Sequence, residues 1–175
     1  MKKQLLALFS LCLVLSASSS SFAQFEKGDK LLNAGLSLGG TYGGGAGVGA
    51  SFEVGIHDYI SVGAQADFMT WSNGWGGYKF KYTFLPIGVR GSYHFGKHFL
   101  KMDNLDLYAG PAIGYTIANY KDPSGWSGLY TGGYGGEVYF GIFAGARYYF
   151  KENMGVFAEL GQNTSALKAG IALKF

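Results

Sequence analysis

Few residues in this chain have the means to do chemistry. Its three histidines, His57, His94 and His98, are scattered through "GIHDYI", "GSYHFG" and "GKHFL", in or beside stretches that read as turns. The serine in "GWSGL", Gly125 to Leu129, misses the G-x-S-x-G nucleophile elbow and lacks the strand-turn-helix context which that motif needs. "GGGAGVG", from Gly43 to Gly49, does not fit G-x-G-x-x-G and runs into a strand rather than a helix. The single cysteine, Cys12, lies at the amino-terminal end, so the rest of the chain offers no thiolate and no metal-ligand spacing. "NTS" at Asn163 fits a glycosylation sequon only formally. These patterns predict a protein that is not an enzyme and carries no cofactor and no metal.

Seven charged residues have a more regular placement: Glu53, Asp67, Arg90, Glu137, Arg147, Glu159 and Lys168. Each falls within an alternating segment, on the face opposite the apolar one. In "GAGVGASFEVGI", Ala46, Val48, Ala50, Phe52, Val54 and Ile56 oppose Gly47, Gly49, Ser51, Glu53 and Gly55. In "EVYFGIFAGARYYF", Val138, Phe140, Ile142, Ala144, Ala146, Tyr148 and Phe150 oppose Glu137, Tyr139, Gly141, Phe143, Gly145, Arg147 and Tyr149. Period-two alternation of this kind is the signature of β-strands. With 30 Gly, 13 Tyr and 14 Phe, the composition also favours sheet over helix.

Eight such segments are predicted, at about 30–40, 45–56, 60–71, 79–95, 105–117, 136–150, 154–162 and 166–175. Ahead of them, "MKKQLLALFSLCLVLSASSSSFAQ" has basic, apolar and small-residue regions in the order of a secretory signal peptide. Residues 1–23 are therefore expected to be cleaved, with 24–175 forming one domain. Loss of Lys2 and Lys3 takes the formal charge from +3 to +1, too balanced to suggest a nucleic-acid partner. A small exported domain without cysteine needs some other source of stability.

Connections between the segments alternate. "HDY", "GKHFLKMDN" and "KEN" are short or basic, whereas "GGTYGGG", "SNGWGGY" and "ANYKDPSGWSGLYTGGYGG" are longer or rich in Gly, Trp and Tyr, with "QNTS" a brief exception. That is the layout of an up-and-down membrane barrel. A soluble barrel would turn its apolar face inward and show water a charged exterior. Here the second face is mostly Gly, Ser and Tyr, suited to a crowded interior, so the apolar face is assigned to lipid. Closure also explains why "ALKAGIALKF" ends in mid-strand at Phe175: the last strand must pair with "KLLNAGLSLGG".

From Gln24 to Phe175 the chain resembles the small outer-membrane barrel family of Gram-negative bacteria, of the OmpA/OmpX type. The resemblance rests on "FLPIGVRGSYHF", "LYAGPAIGYT", "FGIFAGARYYF", "GVFAELG" and the terminal "AGIALKF". It implies an eight-stranded antiparallel transmembrane barrel in the outer membrane, a monomer in contact with lipid and lipopolysaccharide. It also implies that Ile171, Leu173 and Phe175 are read by the barrel assembly machinery. Activity does not follow, because such barrels host adhesins, structural proteins, narrow pores and lipid-modifying enzymes. Histidines near the periplasmic turns argue against an enzyme acting on the outer leaflet.

Two expectations follow for residues. The seven inward charges either fill the lumen with ion pairs or line a polar path, and the narrow bore of an eight-stranded barrel favours filling. Trp71, Trp75 and Trp126 map to one end with Tyr42, Tyr78, Tyr130 and Tyr134, as an interfacial aromatic belt would. Trp75, Trp126, Tyr130 and Tyr134 lie in loop sequence and are candidate contacts for an extracellular ligand. The chain is thus read as a barrel with a structural or surface-interaction role through its outer loops, with a narrow pore as the alternative.

Overall fold

A computed structural model describes residues 25–40, 45–75, 78–99, 102–121 and 136–175. The expected leader, Tyr42, Trp126, Tyr130 and Tyr134 lie outside the described residues. Eight strands form one closed antiparallel barrel in sequence order. They are β1 (Lys30–Gly40), β2 (Ala46–His57), β3 (Ile60–Trp75), β4 (Tyr78–His94), β5 (Leu105–Lys121), β6 (Glu137–Lys151), β7 (Met154–Gly161) and β8 (Ser165–Lys174). One helical turn, α1 (Gly96–Phe99), sits in the connection between β4 and β5, where the sequence suggested only a basic turn.

The seam that closes the ring joins β1 to β8, from Leu31 opposite Lys174 to Gly40 opposite Ser165. Beyond it, Lys30 and Phe175 exchange backbone hydrogen bonds of 3.0 and 2.9 Å. The carboxy-terminal residue therefore completes a ladder that in hydrocarbon must have no unpaired groups. Ile171, Leu173 and Phe175 lie on the outer face of this seam.

Polarity is inverted relative to a soluble protein. Leu36, Val138, Phe140 and Ile142 are 64, 66, 74 and 64 % exposed, while Arg90, Arg147, Glu53 and Lys168 are buried. Such an exterior is stable against lipid and not against water, so the barrel is a transmembrane one. Inside, glycine makes room for rings. A Cβ at Gly145 would stand 2.6 Å from the Tyr108 ring, and one at Gly88 would stand 2.3 Å from the Tyr139 hydroxyl. Small and large residues thus share a narrow bore.

Strand lengths are unequal. β7 and β8 have 8 and 10 residues, close to what a bilayer requires, whereas β3, β4 and β5 have 16, 17 and 17. The β2–β3 ladder stops at Ala46 and Thr70, and the β5–β6 ladder stops at Thr116 and Glu137. Beyond those points β3, β4 and β5 pair only with one another among the described residues, through Trp71–Tyr82, Trp75–Tyr78 and Lys81–Lys121. At about 3.3 Å per residue, this three-stranded flap rises roughly 15 Å along the strands beyond the closed ring, at the end opposite the termini. Trp75, expected in a loop, is the last residue of β3, because the ladder with β4 continues to the Trp75–Tyr78 pair.

Candidate functional site

The lumen is the one place where the described side chains concentrate chemistry. Glu53 enters it from β2, Asp67 from β3, Arg90 from β4, Arg147 from β6, Glu159 from β7 and Lys168 from β8, all buried. Strand alternation places each of them inward, and the ring of strands brings residues distant in sequence together. Glu137 shares that parity but is exposed at the first position of β6, at the rim where the closed ring ends, and so lies outside the buried network it was expected to join.

Arg147 is the hub. Its Nη2 donates to Glu53 Oε1 at 2.7 Å, its Nη1 to Asp106 Oδ2 at 2.9 Å and its Nε to Asn33 Oδ1 at 3.0 Å. The guanidinium carbon lies over the Tyr108 ring, 3.8 Å from its centroid. Arg90 repeats the arrangement nearer the middle. Its Nη1 and Nη2 fork onto Glu159 at 3.3 and 2.7 Å, Nη1 also donates to Gln65, and the guanidinium carbon lies 3.7 Å from the Phe143 ring centroid. Planar forks on carboxylates and ring faces are the arrangement for which Arg is better suited than Lys. Glu53 joins the two hubs, with Arg90 Nε 3.4 Å from its Oε1 and hydroxyl donors Ser61 and Ser92 at 2.6 and 2.5 Å from its Oε2.

Toward the flap end a separate cluster forms. Lys168 Nζ donates to Asp67 Oδ2 at 2.9 Å, and the Ser37 hydroxyl donates to Asp67 Oδ1. Above Arg90, Gln65 Nε2 donates to the Tyr139 hydroxyl at 3.1 Å. Side chains therefore bridge the bore at several levels. Charges bonded this way in a buried interior are positioned against one another, which is the condition for keeping them there.

At the terminal end the network contains a constellation that local sequence did not reveal. Asp106 Oδ1 lies 2.8 Å from His94 Nδ1, and His94 Nε2 lies 2.9 Å from Ser61 Oγ. These are the distances of a Ser-His-Asp triad. Two facts remove the nucleophilic reading. Ser61 directs its only proton to Glu53 rather than to His94, and its side chain is 0 % exposed. A fully buried hydroxyl whose proton goes to a carboxylate already paired with two guanidiniums, and not to the imidazole, is a structural one.

His94, Asp106, Tyr108, Asn33, Ser61 and Ser92 were not picked out from sequence as network members. Parity held the clue: His94 follows Arg90 and Ser92 at intervals of two, and Asp106 and Tyr108 oppose Leu105 and Leu107. Proximity to a turn hid it, because a buried strand end looks like a turn residue in sequence.

No family model matches the chain. No curated protein sequence matches it either. Solved structures do. The chain is similar to the outer membrane protein OprG from Pseudomonas aeruginosa, with a TM-score of 0.65 and 13 % identity over 88 % of this chain and 99 % of that one. It is also similar to Neisserial surface protein A, with a TM-score of 0.56 and 14 % identity over 84 and 96 %. Ail, the attachment invasion locus protein of Yersinia pestis, matches in its complex with the heparin analogue sucrose octasulfate, with a TM-score of 0.55 and 12 % identity over 85 and 99 %. At such identities the likeness is one of architecture, and the chain has the fold of the small eight-stranded outer-membrane barrels.

Proposed function

We propose that this protein is a non-enzymatic integral outer-membrane barrel whose role is surface interaction through its outer end. The observation that carries this reading is the flap. Strands β3 to β5 run on past the closed ring, carrying the Trp75–Tyr78 end of the β3–β4 ladder beyond it on a paired support. Binding residues on loops gain precision from such a scaffold. The bridged lumen supports it, since charged side chains pair across the interior at several levels.

In this reading the short-turn end with both termini faces the periplasm and the flap faces outside. Lipid and lipopolysaccharide surround the wall, the barrel is a monomer, and Ile171, Leu173 and Phe175 on the outer seam are the residues recognised during assembly. Ail, a barrel of the same architecture, is named as an attachment protein and has been seen with a heparin analogue. A sulfated polysaccharide is accordingly a first ligand to try. The decisive experiment replaces Trp75 and Trp126 together in cells displaying the protein. Adhesion to a heparin-coated surface or to host cells should fall. Wild-type adhesion by a folded double variant counts against the proposal.

A further inference from the structure

Residues 25–29 do more than lead into β1. Glu26 to Asp29 form a tight turn, with Asp29 N–H donating to Glu26 O at 3.2 Å and Gly28 at φ 96°, a positive value of the kind the third position of a type II turn requires. The turn is fastened to the barrel on both sides. Gly28 N–H donates to Gly55 O at 2.9 Å, Gly55 N–H donates to Asp29 O at 2.8 Å, and Asp29 pairs with Lys174 at 3.2 Å. Phe25 is thereby folded back over the lumen. Its ring is buried and stacks on the His94 ring at 3.6 Å between centroids and 6° between planes. A Cβ at Gly55 would stand 2.6 Å from Glu26 O and 3.0 Å from Phe25 Cζ, so glycine is needed there for the segment to lie flat.

Beneath that ring the protons can be counted. Glu53 contacts two guanidiniums and accepts from Ser61, which uses the only proton of the Ser61 hydroxyl. Ser61 Oγ can then only accept from His94 Nε2, so that nitrogen carries a proton. His94 Nδ1 faces Asp106 Oδ1, whose carboxylate also pairs with Arg147, so that nitrogen carries a proton too. Charge gives the same answer independently. Among the described residues the lumen buries four carboxylates, Glu53, Asp67, Asp106 and Glu159, against three basic side chains other than histidine, Arg90, Arg147 and Lys168. An imidazolium at His94 balances them. The face of Phe25 supplies a third match, since an aromatic face attracts a cation laid against it.

We propose that residues 25–29 are a cap closing the terminal mouth of the lumen, and that His94, doubly protonated between Asp106 and Ser61, is the latch that holds it. The other groups packed around the latch are the Tyr108 ring, with its centroid 6.0 Å away, Glu53 behind Ser61, and Arg147 behind Asp106. This goes beyond the surface-interaction reading and stands whether or not the outer loops bind anything.

The test uses the barrel extracted from membranes into micelles. In the wild type, nitrogen NMR of histidine-labelled protein, assigned by comparison with His94→Gln, should show both ring nitrogens of His94 protonated at neutral pH. One unprotonated nitrogen would overturn the latch. Amide exchange at Gly28 and Gly55 reads the cap itself. Phe25→Ala should speed both about tenfold or more, with Val48 and Val62 unchanged. Unchanged exchange at Gly28 and Gly55 would overturn the cap. His94→Phe keeps a ring face for Phe25 but no charge. It should loosen Gly28 and Gly55 as Phe25→Ala does, and wild-type protection would show that stacking alone holds the segment. The wild-type ring measurement decides the latch even where a His94 variant does not fold.

Discussion

Replacing Arg147 by alanine removes the donor of three hydrogen bonds, to Glu53, Asp106 and Asn33, and opens a space against the Tyr108 ring. The loss is not shared equally. Glu53 keeps Ser61, Ser92 and the 3.4 Å contact with Arg90, whereas Asp106 keeps His94 as its one ion-pair partner among the described residues. Removing one side of a buried ion pair costs about 3–5 kcal/mol, and the remaining partners of Glu53 argue for the lower half of that range. The expected outcome is a loss of about 3–4 kcal/mol in chemical unfolding from micelles or vesicles, read from the shift in midpoint at constant slope. Arg147→Lys should recover only part of it, because one ammonium cannot fork onto two carboxylates and lie flat on a ring. Combining Arg147→Met with Asp106→Asn should cost less than the sum of the single changes, since the second removes the charge that the first strands. A loss below about 1 kcal/mol for Arg147→Ala, as at an exposed pair, would refute the view that the lumen charges are mutually dependent.

Four further outcomes are expected. Lys168→Met leaves Asp67 with the Ser37 hydroxyl and should lower unfolding resistance by about 3 kcal/mol, which Asp67→Asn in the same chain should partly restore. Gly145→Val drives a side chain into the Tyr108 ring and should cost about 1–3 kcal/mol, while an added methyl at Gly91, whose Cβ would meet nothing closer than 3.9 Å, should be tolerated; the same unfolding assay compares them. Deleting Ile171–Phe175 removes the pairing of Leu31 to Ala34 and should abolish heat-modifiable gel migration of a folded barrel. In planar bilayers the wild-type barrel should be silent, and discrete openings that change in Arg90→Ala would favour the pore instead.

Much of the architecture was legible in the sequence because a barrel wall is a local object. Each residue faces lipid or lumen according to parity alone, so Val138, Phe140 and Ile142 announce the outside, and Arg147 and Tyr149 the inside, without knowledge of any partner. The terminal Phe175 was legible for the same reason, as the last outward residue of a strand that must close the ring. Strand ends were less so. β3 and β5 run four residues past their expected ends at 71 and 117, since pairing in the flap, rather than the composition of "SNGWGGY", decides where those strands stop.

What only the tertiary structure decided is which inward groups meet. Parity says that Glu53, Arg90, Arg147 and Glu159 share the lumen, but their heights along the bore depend on the stagger between strands, which accumulates around the ring. That stagger sets Arg147 between Glu53 and Asp106, residues 94 and 41 positions away, and Arg90 beside Glu159, 69 positions away. It also carries His94 from an apparent turn into contact with Ser61 and Asp106, and brings Phe25 down onto its ring. Alternation is a property of one strand and can be read along it; proximity inside a closed barrel belongs to all eight strands at once and exists only when the last has paired with the first.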